Sequence, residues 1–92
     1  MKISLFSSST CRSCNTIKTV LDNLGYSYDV FMVEDDFKLS RTLGVRSVPT
    51  IKIMKDHVVL SDDYVEKDGD CVDTIVGLTT SLKGRLEDLF GE

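Results

Sequence analysis

The segment Cys11-Arg12-Ser13-Cys14 stands directly after an apolar run, Ile3, Leu5 and Phe6, and directly before residues with helical apolar spacing. Two thiols therefore sit where a strand hands over to a helix. The amides of a first helical turn lack intrahelical acceptors and together carry about half an elementary charge, so they favour a thiolate at Cys11 over the neutral thiol. Cys14 follows one turn later, close enough to attack a mixed disulfide formed at Cys11 and release its substrate as a thiol. Spacing and position together point to thiol–disulfide exchange, in which Cys11 attacks and Cys14 resolves.

The flanking residues predict an α/β chain. Lys2 to Phe6 reads as a short buried strand. Cys14, Ile17, Leu21 and Leu24 recur at three- and four-residue steps, with Val20 beside them, which makes one apolar stripe on a helix that Gly25 stops. Tyr26 to Val33 is aromatic and β-branched and predicts a second strand, parallel to the first because a crossover helix joins them. Glu34-Asp35-Asp36 suits the first turn of a short helix carrying Phe37, Leu39 and Leu43 before Gly44. A third strand opens at Val48-Pro49-Thr50 and alternates to Met54.

Residues 55 to 70 predict an irregular or hairpin insertion, in which Val58-Val59-Leu60 prolongs a strand while Ser61-Asp62-Asp63 and Lys67-Asp68-Gly69-Asp70 turn. Cys71 to Val76 alternates weakly and predicts a last strand, antiparallel to the third and ended by Gly77. Thr79, Thr80 or Ser81 can cap a final helix with Leu82, Leu86, Leu89 and Phe90 on one face. The expected order is β-α-β-α-β-β-α, a four-stranded mixed sheet flanked by helices in one domain over residues 1–92.

Composition narrows the function. The 92 residues carry 11 basic against 15 acidic side chains, net −4, with no Lys/Arg cluster, which argues against a nucleic-acid partner. No apolar run approaches the roughly 20 residues that span a bilayer, and the start is too short for a secretory signal, so no membrane association is expected and the expected compartment is the cytoplasm. Three cysteines cannot build a paired disulfide framework. A zinc site wants four ligands, and beyond the CxxC only His57 and Cys71 are available, so no metal is expected. Asp62 to Asp73 is acidic but lacks EF-hand spacing, with Ile75 where the closing Glu would stand, and reads as a solvated loop. Cys71 reads as a small apolar strand residue and His57 as a solvated turn residue. Arg12 either lowers the Cys11 pKa further or is simply solvated.

With the dithiol at the first strand-to-helix turn, Ser47-Val48-Pro49-Thr50 before the third strand and Gly77 after the fourth, essentially the whole chain resembles the thioredoxin superfamily and its minimal thioredoxin fold. The resemblance implies a cis proline at Pro49 beside the dithiol, a substrate backbone bound at Val48, close approach of that backbone at Gly77, and substrate contacts at Arg12 and Ser13. The short start with Phe6 resembles glutaredoxins and the small glutaredoxin-like electron donors of ribonucleotide reductase. Gly44-Val45-Arg46-Ser47-Val48-Pro49-Thr50-Ile51 and the stretch from Val76 to Phe90 resemble thioredoxin. Glutaredoxins usually hold glutathione with a lysine before the dithiol and a Gly-Gly-x-Asp-type motif after the last strand. Ser7-Ser8-Ser9-Thr10 and Gly77-Leu78-Thr79-Thr80 stand there instead. Where thioredoxins keep a buried aspartate and a tryptophan, this chain has Leu5 and no Trp.

The resemblance implies a monomeric thiol–disulfide oxidoreductase without a cofactor. Its substrates would be disulfide-containing proteins, ribonucleotide reductase among them, and a thioredoxin reductase or glutathione would recycle it. The alternatives are a glutathione-dependent glutaredoxin and a thioredoxin-fold interaction subunit that does not need its thiols.

Overall fold

A computed structural model describes residues 1–61, 63–77 and 82–90 of the chain. Strand β1 (Lys2–Ser7) leads through the dithiol into helix α1 (Arg12–Leu24), then β2 (Tyr28–Met32), α2 (Phe37–Thr42), β3 (Thr50–Met54), β4 (Cys71–Val76) and α3 (Leu82–Phe90). The strands lie in the order β2-β1-β3-β4. β1 and β2 are parallel, while β3 is antiparallel to both β1 and β4. This is the minimal thioredoxin fold expected from the element order.

Alternation along β1 and β3 gives the sheet two buried faces. Ile3, Leu5, Ile51, Ile53 and Ile75 point to one side and pack with Ile17 and Leu21 of α1 and Leu82 and Leu86 of α3. On the other side Phe6 and Met54 pack with Leu39 and Leu43 of the α2 segment and with Val58. Each fully buried aliphatic or aromatic side chain contributes roughly 1.5–3 kcal/mol, so a strand that serves two cores is favoured over one with a wet face. The α1 stripe is as its spacing predicts: Cys14, Ile17 and Leu21 are buried, and Val20 and Leu24 half-buried.

Four local expectations are corrected. β2 starts at Tyr28 rather than Tyr26 and stops at Met32, because the Tyr26 N–H still donates to the Leu21 carbonyl at 3.0 Å as part of the helix end. α2 does not open on acidic residues. Asp36 holds the cap position without a side-chain bond, and Glu34 and Asp35 lie in the preceding turn.

Phe37 is 60% exposed. Positions 37 and 39 point to opposite sides of a helix, so Leu39 and Phe37 cannot both face the sheet; Phe37 instead lies under the Arg41 guanidinium, 5.6 Å from its ring centre. Val58-Val59-Leu60 forms no strand. The chain turns directly after Met54, with the Val58 N–H on the Lys55 carbonyl (3.0 Å) and the Lys55 N–H on the Asp70 carbonyl (3.0 Å), so that Val58 is buried while Val59 is 73% exposed. The expected caps Thr79, Thr80 and Ser81 lie outside the described residues, as does Asp62.

The weak alternation of β4 has a cause in its pairing. Ile53 faces Asp73 but Met54 faces Cys71, so one residue, Val72, is bulged out. Without the bulge Cys71 would share a side with Asp73 and Ile75. With it, Cys71 packs against the α2-side cluster, while Asp73 meets Arg85 of α3 at 2.6 Å.

Candidate redox site

Parallel β1 and β2 end together, and β3 begins beside the end of β1, Thr50 opposite Phe6. β4 ends opposite the same point, Val76 against Thr50. This topology brings the β1–α1 loop, the segment before β3 and Gly77 to one end of the sheet. The 55–70 insertion leaves from Met54, opposite Lys2, at the other end.

Cys11 is the N-cap of α1, in extended conformation (φ −87°, ψ 105°), and its Sγ accepts the Cys14 N–H at 3.1 Å. The sulfur thus takes the place that a serine or aspartate oxygen takes at most helix starts. Cys11 and Cys14 are disulfide-bonded, with α-carbons 5.4 Å apart. Cys11 is half-buried at the surface, whereas Cys14 is 0% exposed and lies on the stripe with Ile17 and Leu21. Arg12 and Ser13 are exposed on the first turn.

The Val48–Pro49 peptide bond is cis. Pro49 is buried and its carbonyl accepts the Gly77 N–H at 2.8 Å, which ties the segment before β3 to the end of β4. Gly77 holds φ +76°, and a β-carbon built on it meets nothing within 4 Å, so open space lies against its backbone. Among the described residues the Val48 main chain has no hydrogen-bond partner. Beside it runs a groove of about 160 Å³ lined by Val33, Val45, Arg46, Ser47 and Val48.

A larger hollow, about 460 Å³, lies in the insertion around Tyr64 and Asp70. It is at the wrong end of the sheet for dithiol chemistry. There the Tyr64 hydroxyl donates to Asp70 Oδ2 at 3.0 Å, and His57 Nε2 stands 3.4 Å from Asp70 Oδ1. Burial, and then the Asp70 acceptor and its charge, push the Tyr64 phenol up to about 12. Among the described residues no three His, Cys, Asp or Glu side chains gather as a metal site, and none of the helices among them is long and apolar enough to cross a membrane.

Glu34 touches the dithiol loop in a way that residue spacing did not reveal. Both its carboxylate oxygens accept the Ser9 N–H, at 3.0 and 3.3 Å, two residues before Cys11. The contact joins positions 25 apart in sequence, and no local pattern signals it.

A mixed four-stranded sheet with a cysteine pair at its first strand-to-helix junction defines a thioredoxin-fold protein. Solved structures agree. The chain is similar to the thioredoxin-like protein BC3987, with 22% identity, covering 96% of this chain and 99% of that one, at a TM-score of 0.60. It is similar to thioredoxin 1 from Thermosipho africanus, with 17% identity over 100% of both chains and a TM-score of 0.63. A variant thioredoxin from Halobacterium salinarum, with 25% identity, matches 95% of this chain and 68% of its own at a TM-score of 0.61.

Within this fold the family is given by sequence: the glutaredoxin family model matches residues 3–58, more than half of the chain, and the chain belongs to that family. A search of curated proteins finds no match. Family and dithiol together support a thiol oxidoreductase.

Proposed function

We propose that the protein reduces disulfides in other proteins through the Cys11–Cys14 dithiol. The observation that carries this reading is the asymmetry of the pair at the helix start: Cys11 half-buried on the surface, Cys14 0% exposed beneath it. The Cys11 thiolate attacks one sulfur of a substrate disulfide, forming a mixed disulfide and expelling the other substrate sulfur as a thiolate. Cys14 then gives up its proton and attacks Cys11 Sγ, closing the Cys11–Cys14 bond and releasing the second substrate thiolate. Two electrons pass to the substrate, and an external dithiol or thiol returns them.

In this reading an extended segment of the substrate lies across Val48, Pro49 and Gly77, with Arg12 and Ser13 beside the attacked bond. Among the described residues, the Val48 main chain without a hydrogen-bond partner and the space beside Gly77 support that placement. We place the protein in the cytoplasm as a monomer, with a thioredoxin reductase as its reductant and ribonucleotide reductase as one candidate acceptor. The glutaredoxin family match favours glutathione as a second reductant. The reduced protein should cleave the interchain disulfides of insulin, and a Cys11→Ser, Cys14→Ser double variant should not. A wild-type protein inert toward insulin, or a double variant as active as wild type, would sink the reading; the former would favour an interaction subunit.

A further inference from the structure

The loop that carries Cys11 is short and polar, and its own residues do little to hold it. Ser8 and Thr10 touch each other at 3.4 Å, and the Cys11 N–H closes a turn on the Ser8 carbonyl at 3.2 Å. The tie to the rest of the molecule comes from the neighbouring connection. The Val33 N–H donates to the Ser7 carbonyl at 2.9 Å, and the Asp35 and Asp36 N–H groups turn back onto the Met32 carbonyl at 3.0 and 2.7 Å. This turn sets Glu34 opposite the dithiol loop, where its two oxygens share the Ser9 N–H.

We infer that Glu34 is a positioning residue for the dithiol: by holding Ser9 it keeps Cys11 Sγ against the N-terminus of α1. The inference rests on Cys11 being the attacking thiol. In the disulfide-bonded pair Cys11 Sγ accepts the Cys14 N–H at 3.1 Å with Cys11 in its extended cap conformation, and a tethered turn immediately before Cys11 favours the same conformation once the S–S bond no longer holds the sulfur there. Ser9 and Glu34 are both exposed, so the charge-assisted bond is screened by solvent and its effect on the loop is expected to be a few-fold at most.

Glu34 could act on Cys11 in a second way, and the two have opposite signs. Its negative charge at this end of the sheet disfavours a thiolate, so removing the charge alone raises thiolate content. Losing the tether lets Sγ drift from the helix amides and lowers thiolate content. Glu34→Gln keeps an oxygen acceptor without the charge, whereas Glu34→Ala removes both. The other charged groups at this end, Arg12 on α1, Asp35 and Asp36 beside Glu34, and Arg46 before β3, are the same in both variants.

The test is the pH profile of Cys11 alkylation in the reduced, full-length protein, read by peptide mass, together with hydrogen exchange of the Ser9 amide. We expect Glu34→Ala to react roughly threefold more slowly than wild type near pH 6, to match it above pH 9 where the thiol is ionised regardless, and to lose Ser9 protection. Glu34→Gln, which keeps an acceptor and drops only the charge, should react at least as fast as wild type near pH 6 and regain Ser9 protection. Faster alkylation in both variants at low pH would show that the charge and not the tether acts, and profiles identical to wild type would show that the contact does nothing; either result overturns the proposal. Alkylation needs no protein substrate. A protein that fails to reduce insulin would therefore refute the proposed function while leaving this measurement to decide the role of Glu34.

Discussion

The chemistry of the pair is set by two residues in unequal surroundings. Cys11, half-buried at the surface, caps the helix by accepting the Cys14 N–H, while Cys14 is sealed on the α1 stripe. Iodoacetamide at about pH 6.5 should therefore modify Cys11 first in the reduced protein, with Cys14 and the half-buried Cys71 lagging; peptide mapping that finds Cys14 or Cys71 labelled first would reverse the roles. Tyr64 makes a second residue-level case. Its phenol is raised from 10.0 to about 12 by burial and by Asp70, so between those pH values the folded chain keeps a proton that the unfolded chain has lost. Unfolding then releases a proton, and the stabilisation present below pH 10 drains away as pH rises towards 12. Denaturation midpoints measured across that window should fall more steeply for wild type than for Tyr64→Phe. Equal slopes would mean that the hydroxyl is not the group responsible.

Two glycines on helices should respond in opposite directions to the same change. Gly25 ends α1 at φ +79°, with its N–H on the Asp22 and Leu21 carbonyls. Gly84 lies within α3 without a positive φ, and a β-carbon there meets nothing within 4 Å. Gly25→Ala should cost about 1–2 kcal/mol, because an L-residue in the left-handed region crowds its own carbonyl. Gly84→Ala should stabilise by roughly 0.5–1 kcal/mol through reduced chain entropy and better helix propensity. Chemical denaturation of the two variants checks both signs, and a neutral Gly25→Ala would mean that the helix ends without this turn. The β4 bulge acts at the same scale: one extra residue decides which core receives Cys71.

At the scale of the whole molecule, the residues around the dithiol bear on the choice of reductant. The family match is to glutaredoxin, yet Ser7-Ser8-Ser9-Thr10 and Gly77-Leu78-Thr79-Thr80 do not supply the lysine and the Gly-Gly-x-Asp-type motif that hold glutathione in that family. Oxidised protein should accordingly be reduced faster by a thioredoxin reductase with NADPH than by millimolar glutathione, as followed by NADPH consumption in parallel assays. Efficient recycling by glutathione alone, with a glutathione adduct at Cys11 accumulating in Cys14→Ser, would reverse that order.

The element order, the α1 stripe, the alternation of β3 and the pairing distance of the two cysteines were legible in the residues, because each depends on local spacing: period two in a strand, three to four in a helix, and two residues between cysteines. What spacing cannot express is partnership across the fold. The chain alone could not show that Glu34 turns from the helix it was expected to open towards Ser9, that Val58 dives into the second core instead of extending a strand, or that a bulge turns Cys71 over. Local spacing is compatible with more than one arrangement in each of these. Contacts between residues far apart in sequence decided them, and such contacts exist only once the sheet has formed.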